Sequence, residues 1–445
     1  MRTLLLILFS FILSGKLVAQ DHKNVVLLDQ WSDTSFVASI EDIRFNDVLG
    51  FTYNNVRYAI IGSTIGTHIL KIENNQLKFV DFVPGKYQSI IAEHRDYAVY
   101  QNYIYAVCDE GTSSLQIMDF SYLPDSVSVV YDDDLFFQIS HTVFIDTAKA
   151  KLYACGANNS GMKILDISNP ISPSLFYDFT NINYVHDCRV VNDTAFLNCG
   201  YDGLHIYYFG GGIPIQLGVL DFYADQGYNH SGSISPSGNA YAFTDETEGK
   251  KIKLCYLNDL ADIKIDELFA TSDFSDNVAH DVVLLENIAI CSYYKEGLRI
   301  FDVANLPIHE IAAYDTYLPD SDFKLNGAWG VFIFENDNLI LISDRQSGLF
   351  LFYFPIDLFE SGADNTYVTN VPFIDENSIL ITRNNFETDN LYFTIASTNG
   401  ELLYEQEDYK NWVNIPLTLS AGAYVYAVFN QDKELLEKGK FVKAN

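Results

Sequence analysis

A unit of about 45 residues recurs along this 445-residue chain, and a period of that length leaves few folds open. Each copy reads as a His or Asp, alternating apolar residues, a short polar turn and a second apolar strand, then Gly-Leu-x-Ile-x-Asp and an Asn-Pro turn. The clearest copies run from Ser140 to Pro170, Val185 to Phe209 and Ala279 to Pro307. Weaker ones span His94 to Phe120, Asn229 to Leu257, Asn326 to Phe354 and, first in the chain, Asn46 to Ile72, making seven. Three strands alternating apolar and polar with period two fit each copy. In several copies a fourth follows, with two apolar residues and then Asp, starting at Phe79, Phe176, Val219 and Ala312. Four antiparallel strands per repeat make the blade of a β-propeller, and 30 Tyr and 32 Phe against 3 Met suit a strand-rich chain.

The expected fold class is therefore all-β: a seven-bladed β-propeller over residues 20–355, followed by a small C-terminal β-sandwich. The last copy lacks a fourth strand, while Val25 to Asp33 has that strand's character and precedes the first copy without a unit of its own. It is expected to complete the seventh blade, closing the ring and hiding two free sheet edges. An open β-solenoid is the alternative, but it would use shorter turns.

Residues 1–19 read as a signal peptide: Arg2, an apolar run from Leu4 to Leu13, then Ser14, Gly15 and a small residue at Ala19. A buried N-terminal strand or helix is the plainer reading of the same stretch. No later stretch is apolar for long enough to cross a membrane as a helix, so no transmembrane helix is expected in the mature chain. The net charge of -32 repels phosphate backbones, which argues against nucleic acid as a partner. Of six Cys, Cys108, Cys155, Cys199 and Cys291 recur at similar places near the end of the second strand. Equivalent positions in different blades do not meet at disulfide spacing, so the cysteines are expected to be mostly free and buried.

The phrases FNDVLGF, HRDYAVY, SHTVFID, YVHDCRV, YNHSGSI and NGAWGVF, each opening a successive unit, resemble the choice-of-anchor B family. These are exported LVIVD-repeat propellers whose members differ in how they attach to the cell. The match covers about Val25 to Pro355. It departs at VAHDVVL in the sixth opening, and at Phe45 and Leu49, where the family tends to larger aromatics. The resemblance implies fold and export, and brings no established activity. After a linker at 356–370, residues 371–445 resemble the type A sorting domain of the type IX secretion system. The resemblance rests on the Asn399-Gly400 hairpin turn, the run from Leu419 through Gly422 to Tyr424, and the closing Gly439, Lys440, Phe441, Val442 and Lys443. It implies passage through the type IX secretion machinery to the outer-membrane surface or beyond, with later release or attachment. A carbohydrate-binding or structural sandwich is the bland alternative.

His94, His141, His186, His230 and His280 open five consecutive innermost strands, with Asp96, Asp187 and Asp281 one or two residues on and Trp329 at the seventh opening. They are expected to ring one mouth of the central channel. Imidazoles and carboxylates there could hold a transition metal or a small ligand, or each could clasp the backbone of the next blade. Asp132 to Asp134 and Asp245 to Glu248 admit Ca²⁺, whose ligands are hard oxygens, though neither completes a calcium loop. No catalytic residue is assigned, since no nucleophile elbow, zinc-protease helix or phosphate loop occurs. Two functions remain open. One is a binding scaffold for an extracellular protein, glycan or peptide. The other is a metal-dependent hydrolase or lyase using the His/Asp ring.

Overall fold

The structure, a computed structural model, describes residues 22–211, 213–319, 323–354 and 356, and beyond them Leu419 and seven strands between Phe373 and Lys443. Residues 1–19, read above as a signal peptide, nearly all of residues 356–370, read as a linker, and the Asn399-Gly400 turn lie outside the described residues. Among the described residues, no helix is long and apolar enough to cross a membrane.

Seven antiparallel sheets repeat along the chain in the order of the sequence units. Sheet 1 runs outward through Phe45–Tyr53, Val56–Ser63, Gly66–Glu73 and Gln76–Pro84. The innermost strands of sheets 2 to 7 are Arg95–Tyr100, Thr142–Asp146, Asp187–Val191, Asn229–Ile234, Ala279–Leu284 and Ala328–Phe334. Each innermost strand packs against the next, and that of sheet 7 packs against that of sheet 1, closing the cycle. The arrangement is consistent with a β-propeller.

The packing explains one departure from the expected alternation. Second strands such as Ile288–Tyr293 and Leu339–Asp344 are buried at every position. Both faces of a sheet lie against neighbouring sheets, so both faces must be apolar. Among the described residues a large hydrophobic core lies between each adjacent pair of sheets, including one that joins Phe45 and Leu70 of sheet 1 to Leu341 and Leu351 of sheet 7. All six cysteines are free and buried, five of them in these layers.

Val26–Trp31 is the outermost strand of sheet 7, antiparallel to Gly348–Tyr353. Two local features mark it as a fourth strand displaced to the start of the chain. The outermost strands of sheets 1, 2, 3, 4 and 6 each carry a bulge midway, and Val26–Trp31 carries one between Leu27 and Asp29. Asp81 in sheet 1 reaches forward to accept the backbone N–H of Val127 at the start of the next outermost strand (2.8 Å), and Asp29 does the same to Leu77 (2.7 Å). In these two strands the Asp is thus a tie between neighbouring sheets, whereas Asp178 at the same place in sheet 3 pairs with Lys163 of its own sheet. His22–Lys23 adds a fifth strand to sheet 6.

Of the C-terminal strands, Phe373–Asp375, Ser378–Leu380 and Trp412–Asn414 form one sheet, and Leu391–Ser397, Leu402–Tyr409, Gly422–Phe429 and Leu435–Lys443 another. The residues read as a sorting signal lie on the last two strands, which pair antiparallel with Gly422 opposite Lys443, Ala423 opposite Val442, Tyr424 opposite Phe441, Val425 opposite Lys440 and Tyr426 opposite Gly439.

Candidate functional site

Innermost strands carry their first residues to the axis, and in sheets 1, 5, 6 and 7 a bulge sits there, between Phe45 and Val48, Asn229 and Gly232, Ala279 and Asp281, and Ala328 and Val331. A bulge re-aims the side chains it contains, here His230, His280 and Trp329. Five imidazoles and one indole then meet at tilted angles in a closed cycle. Ring centroids are 5.7 Å apart from His94 to His141, 4.1 Å to His186, 4.2 Å to His230, 4.4 Å to His280, 4.4 Å to Trp329 and 5.2 Å back to His94. Sheet 1 places Asn46 in its bulge and contributes no ring. The larger indole of Trp329 spans that gap.

Hydrogen bonds set the roles of the ring members. His186 Nδ1 donates to the carbonyl of His230 (3.1 Å), and His280 Nδ1 to that of Trp329 (2.7 Å), so each clasps the next sheet. Burial, reinforced by neighbouring imidazoles, pushes both well below the usual histidine range and keeps them neutral. Burial also lowers His230. His141 goes the other way. Burial pulls it down, but Asp109, 2.8 Å from Nδ1, outweighs that and holds it above the ordinary value. His94 pairs through Nδ1 with Glu110.

The ring opens into a cavity of about 370 Å³ along the axis. Its walls carry a second layer made of Asp47, Asp96, Asp187, Asp281 and Arg189. Arg189 Nη1 lies 3.0 Å from both oxygens of Asp187, and Nη2 lies 4.0 Å from Asp281. Burial raises Asp187 to about 6 in spite of that guanidinium. Burial and the charge of Asp96 raise Asp47 well above the carboxylate range, so the hydrogen-bonded pair Asp47 and Asp96 holds a proton. Asp96 also accepts the N–H of Tyr97 (2.7 Å) and of Val143 in the next sheet (2.6 Å). Asp281 accepts from Ser231 (2.8 Å) and Val282 (2.8 Å).

All nine residues singled out in the sequence line this one cavity. The acidic runs considered for Ca²⁺ do not gather in the same way. Asp245 is buried against Lys253 (2.9 Å) and Tyr223 (2.8 Å), Glu248 faces Lys324 (3.4 Å), and Asp132 accepts from Ser114 (2.6 Å). Glu246 turns to the ring instead, and His230, Glu246 and His280 bring one ligand atom each to within 4.8 Å of one another. Sequence reasoning missed Asp47, Arg189 and Glu246 as axial residues. Aligning Asn46-Asp47 with His186-Asp187 would have found the first, and Asp109, Glu110 and Glu246 share a place just after the second strand of their sheets. Arg189 occurs once among the repeats and left no periodic signal.

No family model and no curated protein matches the chain. Among solved structures it is similar to that of U3-55K at 9% identity, over 74% of this chain and 98% of that one, with a TM-score of 0.53. It is also similar to a putative 6-phosphogluconolactonase from Bacteroides uniformis ATCC 8492 at 15% identity, over 71% of this chain and 94% of that one, also with a TM-score of 0.53. At such identities the likeness is one of fold.

Proposed function

We propose that the chain is an exported seven-bladed propeller of the choice-of-anchor B kind, sorted by its C-terminal domain through the type IX machinery, and that its task is recognition at the axial cavity. The observation that carries this reading is the closed cycle of five imidazoles and Trp329 over a cavity of about 370 Å³, a volume that suits a small ligand. The walls offer carboxylates, neutral imidazoles that both donate and accept, and the apolar faces of Trp329, Phe144 and Phe332. Hydrogen-bonding groups of both kinds beside aromatic faces suit a hydroxyl-rich ligand, such as the end of an extracellular glycan. Recognition is favoured over reaction because most of the groups able to move protons are already committed: His186 and His280 to backbone carbonyls, His141 to Asp109, and Asp187 to Arg189.

Screening the full chain and its Trp329→Ala and Asp187→Asn variants against an array of glycans tests this. Capture of at least one glycan by the parent, weakened about tenfold or more in both variants while both still unfold cooperatively, is the expected result. Capture that ignores both substitutions would remove the cavity from the recognition site, and an array with no capture would end the glycan reading.

A further inference from the structure

We propose that His230, Glu246 and His280 form a three-ligand site for a divalent first-row transition ion, Zn²⁺ by its donor set, with the open coordination position facing the axial cavity. The proposal deepens, and rests on, the reading of that cavity as a binding site, because the ion would present its free position to the ligand there.

Three elements converge on the site. His230 and His280 stand in the bulges that open the innermost strands of sheets 5 and 6, and Glu246 directly follows the second strand of sheet 5, Ala240–Asp245. Glu246 is fixed by its backbone N–H, which donates to the carbonyl of Tyr228 (2.8 Å). The His230 Nε2 to Glu246 Oε2 separation is 3.8 Å, too long for a hydrogen bond. Ions of this class bind nitrogen and oxygen at about 2.0–2.2 Å, so two ligands of one ion lie about 3.3 Å apart in a tetrahedral site. All three ligand atoms lie within 4.8 Å of one another, so an ion would draw them in by rotations of the side chains.

Outer partners are already in place, as they are around protein-bound metals. The Trp329 carbonyl can only accept, so the 2.7 Å bond from His280 Nδ1 puts the proton on that nitrogen and leaves Nε2 with a lone pair for an ion. Tyr294 donates its hydroxyl to Glu246 Oε1, which orients the carboxylate, and the tyrosine ring also meets His280 edge to face at 5.2 Å. Two imidazoles with one carboxylate are a mixed nitrogen and oxygen set, which suits Zn²⁺ and its neighbours far better than Ca²⁺, whose ligands are oxygens. Three protein ligands leave a fourth position open. His230 and His280 line the cavity itself, with Asp281 and Trp329 beside them on its wall.

The test is metal counting on the full chain. Protein stripped with a chelator, equilibrated with ZnCl₂ and desalted should retain one zinc per chain, and Co²⁺ in its place should give the ligand-field absorption of a low-coordinate nitrogen and oxygen site. His280→Ala and Glu246→Gln should each weaken Zn²⁺ binding on the order of a hundredfold, and Tyr294→Phe about tenfold. His309→Ala, which removes an exposed imidazole elsewhere, should change nothing. Should His280→Ala fail to fold, Glu246→Gln carries the test, since Glu246 lies outside the hydrophobic cores. Zinc retained well below one per chain, or bound as tightly by Glu246→Gln as by the parent, would overturn the site. Glycan capture that persists after complete zinc removal, in a chain that holds no zinc, sinks the metal site alone. Stoichiometric zinc without any glycan capture sinks the glycan reading alone.

Discussion

At the scale of single residues, the axis is a place where charge is held at a cost. Four carboxylates face one guanidinium in a largely buried layer, and burial pushes Asp47, Asp96 and Asp187 toward their protonated forms. Asp187 makes this measurable, because burial raises it to about 6 in the folded chain whereas an unfolded Asp titrates near 3.9. A carboxyl raised in this way stabilises the fold in its protonated form. Its contribution is full below about pH 4 and is lost as pH climbs through about 6. The stability of the parent relative to Asp187→Asn should therefore fall by up to about 3 kcal/mol between those limits. Urea unfolding midpoints of both proteins across the window report it. Asp344, also raised to about 6, is common to both and cancels in the difference. A difference that stays flat with pH would mean that Asp187 is solvated or fully compensated by Arg189.

Among elements, the decisive contacts are those by which one sheet touches the next. Gly218, on the outermost strand of sheet 4, illustrates how close they are. A Cβ added there would sit 1.9 Å from the carbonyl oxygen of Leu260, in the short 3-10 turn Leu260–Asp262 of the neighbouring unit. Backbone cannot yield to it as a flexible side chain would. Gly218→Ala should destabilise the chain by about 2 kcal/mol or more, while Gly211→Ala, with nothing within 4 Å of the new atom, should stay within about 0.5 kcal/mol. Chemical denaturation of the two variants side by side checks the contrast. The ties made by Asp29 and Asp81 belong to this scale as well, since each joins outermost strands of adjacent sheets at a point where the bulge has already bent the edge.

For the molecule as a whole, closure depends on a strand more than three hundred residues from its partner, Val26–Trp31 against Gly348–Tyr353. Val25 joins the core shared by sheets 6 and 7, and Leu28 and Trp31 pack on the core shared by sheets 7 and 1. Deleting residues 25–33 removes these contacts and leaves an open edge on sheet 7. The expected cost is on the order of 5 kcal/mol, with the transition remaining single, because every sheet shares a core with both neighbours. Differential scanning calorimetry distinguishes this from an open array, in which only the terminal unit would melt early and the rest would keep its midpoint.

Much of this architecture was legible in the sequence because repetition amplifies it. A pattern seen once is ambiguous, but Gly-Leu-x-Ile-x-Asp at a steady period, an orphan fourth strand at Val25 to Asp33 and imidazoles at five successive openings each constrain the same ring. Those features are local and periodic, so the chain by itself determined the strand order, the closing strand and the set of His, Asp and Trp residues carried to the axis. Features that occur once were invisible. Nothing periodic marks Arg189, the replacement of a ring by Asn46 in sheet 1, or the turn that sends Glu246 to the axis while its neighbour Asp245 pairs with buried Lys253. The strict alternation expected of each strand also failed in the second strands, since whether one face or two is buried depends on what lies across from the sheet. Only the tertiary structure decided which imidazoles are clasps, which carboxylates keep their protons and which three side chains come within reach of one ion. Those properties depend on distances between strands far apart in the chain and on how completely water is excluded from the space between them.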